Sequence, residues 1–124
     1  MENFNINYKD STIIPDYPKI FFSKGNLLAA LPLSAKVIGG QIEISWQNNA
    51  AGDAEREADV AQILLAAEDE NLTAFVENAA ARSDGSYTAN IPVGFQGKSL
   101  HIWLAFRSAD GEQVSNSQYL GSFS

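Results

Sequence analysis

Gln41-Ile42-Glu43-Ile44-Ser45-Trp46 alternates polar and apolar residues without a break, which is the period-2 pattern of a strand with one buried face. Ile42, Ile44 and Trp46 belong to a core; Gln41, Glu43 and Ser45 belong to the opposite face. Gly39 and Gly40 read as a turn before this strand, and residues 35–38 as a further strand before the turn. The alternation returns over residues 86–91 with Tyr87, Ala89 and Ile91, and ends at Pro92, Gly94 and Gly97. It is longest in Leu100-His101-Ile102-Trp103-Leu104-Ala105-Phe106-Arg107. There Leu100, Ile102, Leu104 and Phe106 share one face, which puts His101, Trp103, Ala105 and Arg107 on the other. Asp110-Gly111 supplies a hairpin turn, since both residues tolerate the positive φ such turns need, and residues 113–121 read as the returning strand. Shorter strands are expected at 19–23 and 73–77, with a loose apolar piece at 27–33.

Residues 53–68 admit two readings. Ala, Glu, Arg, Gln and Leu favour a helix capped by Asp53, whereas the apolar run of residues 60–67 suits a buried strand. The strand agrees better with the β character of the surrounding sequence, but propensity alone leaves both open. With the strand included, about seven short strands with turn signals between them predict an all-β fold, an antiparallel β-sandwich of about 100 residues. Residues 1–18 are polar and carry Pro15 and Pro18, so they are expected to form an extended amino-terminal arm, with the sandwich occupying residues 19–124.

At 124 residues, with 45% apolar and 19% charged residues, the chain has the size and composition of one folded domain. It is acidic: 8 Lys and Arg against 15 Asp and Glu give a net charge of −7, the wrong sign for a nucleic-acid partner. The apolar runs at 27–33 and 63–67 fall far short of the roughly 20 residues a membrane helix needs, so no membrane insertion is expected. No signal peptide is visible at the amino terminus. The absence of cysteine removes disulfides, thiolate metal sites and thiol catalysis.

Two resemblances rest on these residues. Ile42, Ile44 and Trp46 on an early strand, an apolar strand after Asp59 and a long penultimate strand ending in an Asp-Gly hairpin resemble a fibronectin type III or related immunoglobulin-like sandwich. The second resemblance is carried by four segments: Ser23-Lys24-Gly25 with Leu27; Trp46; Ala80 with Arg82; and Val114-Ser115 with Ser117 and Tyr119-Leu120-Gly121. In these, residues 15–121 are similar to the carboxy-terminal region of an uncharacterised bacterial family of unknown function. That resemblance implies a sandwich fold and brings no activity, cofactor or catalytic residue with it.

Chemistry is sparse. His101 is the single histidine and sits in mid-strand with no nucleophile elbow in the sequence, which argues against a serine triad. One histidine without cysteine makes a poor zinc site. The acidic sets Asp53, Glu55, Glu57, Asp59 and Glu68, Asp69, Glu70 lack the spacing of a calcium loop and read as a solvated rim. No enzyme, cofactor or metal is expected. The one feature that points to a partner is the second face of the longest strand. Trp103, His101 and Arg107 lie there, and neighbouring strands are expected to add Leu64 and Tyr119. Trp and Arg are enriched in binding hot spots, so this face is the candidate surface for a protein partner or for self-association. Stacking of sugar rings on Trp103 and Tyr119 is the alternative, and the structural reading is that the amino-terminal arm, from Tyr8 to Ile20, folds over this face and buries it.

Overall fold

The computed structural model describes residues 5–8, 17–20, 22–68 and 72–123. Its strands are β1 (Asn5–Tyr8), β2 (Pro32–Ile38), β3 (Gln41–Trp46), β4 (Val60–Ala67), β5 (Leu72–Val76), β6 (Ser86–Asn90), β7 (Leu100–Arg107) and β8 (Gln118–Phe123). They form an antiparallel five-stranded sheet, β1-β5-β4-β7-β8, facing a three-stranded sheet, β2-β3-β6. The fold is an all-β sandwich. Among the described residues no helix is long and apolar enough to cross a membrane.

The core lies between the sheets, where the alternation places it. Ile42, Ile44 and Trp46 of β3 meet Ile63 and Leu65 of β4 and Leu100, Ile102, Leu104 and Phe106 of β7, all essentially without solvent contact. The outer face of the smaller sheet is polar. Ser34 and Ser45 share a hydrogen bond of 2.6 Å, Lys36 faces Glu43 at 3.8 Å, and Gln41 donates to Asn90 at 3.1 Å. Between β2 and β3, Gly39 and Gly40 both take positive φ (57° and 79°), which lets a two-residue turn match the twist of its strands.

Residues 53–68 divide between the two readings. Asp53 caps one turn of helix, α1 (Ala54–Glu57), its Oδ1 accepting from the backbone of Glu55 at 3.0 Å and Arg56 at 3.4 Å. Val60–Ala67 is then a strand paired along its whole length with β7 and flanked on the other side by β5. A central strand of this kind buries both faces, which explains a continuous apolar run where a surface strand would alternate.

Two expected strands differ. The strand expected at 19–23 is not seen among the described residues of that stretch: Pro18 lies in a 3₁₀ turn, Tyr17–Lys19, and Ser23 to Leu27 instead run beside residues 114–117. The stretch read as an extended lead-in contributes β1, which pairs with β5 at the edge of the larger sheet. The returning strand is interrupted for a related reason. Val114 bridges Arg107 and Ser115 donates to Phe106, but the regular ladder begins only at Gln118. In between, the chain holds the 22–27 segment: Ser117 Oγ accepts from Phe22 N at 3.0 Å, Ser23 Oγ donates to Ser115 O at 2.7 Å, Asn116 Oδ1 accepts from Gly25 N at 3.0 Å, and Leu27 N donates to Val114 O at 3.1 Å. The approach is so close that a Cβ on Gly25 would lie 2.1 Å from Val114 O.

Asp59 and Arg82, both without solvent contact, hold the end of the sandwich where β4 starts. Arg82 Nε and Nη2 donate to Asp59 Oδ2 at 3.1 and 2.9 Å, Nη2 also donates to Leu28 O at 2.7 Å, and Nη1 donates to Asn49 Oδ1 at 2.6 Å. The guanidinium carbon lies 4.1 Å from the Phe106 ring centroid, and Trp46 Nε1 donates to Arg82 O at 2.9 Å.

Gly25→Ala is expected to lower stability to urea by about 1–3 kcal/mol, the range for a forced overpacking. A loss below about 0.5 kcal/mol would show that the 22–27 segment is not held against Val114.

Candidate functional site

The register places all five singled-out residues on one face of the larger sheet and brings four of them together. Phe75, Leu64, Trp103 and Tyr119 are direct cross-strand partners in β5, β4, β7 and β8, forming an apolar and aromatic row. His101 lies next to this row, paired with Ala66. Arg107 does not join it. It sits at the far end of β7 and donates to Asn78 Oδ1 at 2.7 Å.

The face is covered. Trp103 is 1% exposed and His101 4%, so of the readings of this face the structure agrees with burial beneath the segment that precedes the sandwich. Tyr17 stacks flat on His101, with ring centroids 3.6 Å apart and planes 8° from parallel, and its ring centroid lies 6.2 Å from that of Trp103. Trp103 Nε1 donates to the backbone carbonyl of Ile20 at 3.0 Å. Phe22 meets Phe75 edge to face with centroids 5.4 Å apart. The physical reason is the cost of a wet aromatic row: ring contacts of this kind contribute about 0.5–1.5 kcal/mol each beyond the area they bury.

Both nitrogens of His101 are engaged. Nε2 lies 3.0 Å from Glu68 Oε1 and Nδ1 lies 2.7 Å from Tyr119 OH. An ionised carboxylate only accepts, so Nε2 carries a proton and donates to Glu68; in the neutral ring Nδ1 then accepts from the Tyr119 hydroxyl. The result is a carboxylate–imidazole–phenol chain that fixes the ring orientation. It does not make a nucleophile of the phenol, because burial, helped by the negative charge of Glu68 and by Tyr17, pushes the Tyr119 pKa above its ordinary value. Tyr119 is held in its neutral form.

The expected cover, residues 8–20, contains Tyr17 and Ile20 without singling them out, whereas Glu68 and Phe75 were not named for this face. Period 2 carried along β4 from Leu64 through Ala66 points to Glu68, and the β5 register points to Phe75. Tyr17 had no local signal, because its contact with His101 joins positions far apart in the chain. The acidic residues do not converge. Asp53 caps α1, Asp59 is paired with Arg82 and Glu68 holds His101. Among the described residues no group of three or more His, Asp or Glu side chains is placed to hold a metal ion.

Fold and site together define an antiparallel β-sandwich whose aromatic outer face is closed by its own amino-terminal segment. The chain belongs to a family of unknown function, DUF6266, whose model matches residues 5–121. Neither a curated protein nor a solved structure matches it.

The raised Tyr119 pKa has a testable sign. Because the folded state holds the phenol's proton more tightly than the unfolded chain does, its contribution to stability is intact below about pH 10, the ordinary tyrosine value. It is lost as pH rises toward the folded pKa. Tyr119→Phe is therefore expected to flatten the alkaline limb of a stability-versus-pH curve relative to wild type. Identical limbs would refute the shift.

Proposed function

We propose that the chain is a non-catalytic structural module with the strand arrangement of fibronectin type III and immunoglobulin-like sandwiches. The strand order supports this. β2, β3 and β6 take the places of strands A, B and E in one sheet, and β4, β7 and β8 those of C, F and G in the other, with β5 beside β4 as an added strand. The observation that carries the reading is that the side chains best suited to a ligand are engaged internally. His101 is hydrogen-bonded to Glu68 and Tyr119, Trp103 donates to Ile20 O, and Arg82 is enclosed by Asp59, Asn49 and backbone carbonyls. The module's role is that of a spacer or scaffold, with protein contacts or self-association made through its remaining surface. Sugar stacking requires an open ring face at Trp103, which is 1% exposed, so the scaffold is the preferred reading over a carbohydrate-binding module.

A thermal-shift series with oligosaccharides, nucleotides and divalent cations tests this. A small ligand at 100 times its dissociation constant stabilises a protein by about 2.7 kcal/mol, which raises the melting temperature of a domain this size by several degrees. The scaffold reading predicts shifts within about 1 °C for every compound. A saturable shift of several degrees with any one of them would overturn it.

A further inference from the structure

We infer that residues 17–20 form a strap that lifts from the aromatic face as a unit while the sandwich beneath stays folded. The inference rests on the strap's own contacts and is independent of the scaffold reading.

The strap is tethered on both sides. Ahead of it, β1 pairs with β5; behind it, Ser23, Gly25 and Leu27 are fixed to residues 114–117. Between these tethers the contacts that fasten it to the face include the Tyr17–His101 stack, the Tyr17–Trp103 ring contact and the bond from Trp103 Nε1 to Ile20 O. None of these contacts belongs to the core. The contiguous core cluster runs from Leu27 through the inward faces of both sheets and contains none of Tyr17, Ile20 or Trp103. Lifting the strap therefore leaves the inter-sheet packing and the Asp59–Arg82 pair untouched, and segments with few core contacts open with a smaller free energy than the whole domain. His101 is the catch: Glu68 and Tyr119 hold its ring in the plane on which Tyr17 lies. When the strap is up, the rings of His101 and Trp103 that it covers meet solvent, while the two sheets stay packed.

The protein carries an internal comparison for this, because it has two tryptophans and each indole N–H reports one lock. Trp103 Nε1–H bonds the strap and Trp46 Nε1–H bonds Arg82 O in the core. Hydrogen exchange of the two indole protons, followed by NMR on the intact chain, is expected to be at least about tenfold faster at Trp103 than at Trp46. Tyr17→Ala is expected to speed Trp103 about tenfold further while Trp46 stays within about twofold. Glu68→Ala, at a position exposed on the side away from the core, gives a second release of the same catch and is expected to act in the same direction. Equal exchange at both indoles in wild type would overturn the proposal, since the strap would then open only with the whole domain. A Tyr17→Ala or Glu68→Ala variant that speeds both indoles alike, or neither, would overturn the catch.

Discussion

A guanidinium without solvent contact is costly unless its N–H groups meet acceptors, and Arg82 meets that condition by gathering most of one end of the molecule around itself. Asp59 comes from the entry to β4, the carbonyl of Arg56 from α1, Leu28 and Ala29 from the segment leading to β2, and Asn49 from the loop after β3. Phe106 of β7 provides the flat face beneath, and its edge contact with Trp46 of β3 ties the two sheets together. Burial lowers the Arg82 pKa from its ordinary value, opposed by the hydrogen bond and charge of Asp59. The pair is a device of position more than of net stability. Apolar replacements of buried ion pairs are often tolerated, while removal of one partner alone typically costs about 3–5 kcal/mol.

The segments that carry the family resemblance also meet in the fold. Ser23, Gly25 and Leu27 meet Val114, Ser115 and the Ser117 hydroxyl, so two of the four resemblance segments form a single clasp. The other two meet as well: Trp46 donates to the Arg82 carbonyl, and Ala80 O accepts from Ala61 beside it. These contacts hold their segments against the sandwich, and the clasp leads into the strap over the aromatic face.

The sandwich was legible because its central strands bury whole faces. The alternation of residues 41–46 and 100–107 needs no partner to be read, and it placed Ile42, Ile44, Trp46 and the inward residues of β7 in the core where they lie. Leu64 and Tyr119 were reachable from period 2 and the hairpin. The helix-or-strand ambiguity at residues 53–68 arose because both answers are present in succession, a single capped turn and then a two-faced strand. What local pattern does not encode is which distant segment covers an outward face. Alternation puts Trp103 and His101 on the outer side of the sheet and leaves open whether a partner or the arm covers them, because burial of that side depends on Tyr17 and Ile20 arriving from the other end of the chain. An ion pair that stabilises the fold was a reading open for Arg82 in its turn, but its acceptors come from segments that meet only once the sandwich is assembled.

The direct test of Arg82 as the organising contact is a double-mutant cycle with Asp59→Asn and Arg82→Met, read by equilibrium urea denaturation. If the pair organises this end of the sandwich, each single variant loses about 3 kcal/mol or more and the double variant loses little beyond either one, giving a coupling of about 2 kcal/mol or more. Losses that add to within about 0.5 kcal/mol would show that Asp59 and Arg82 act independently, and that the enclosing segments are held by something else.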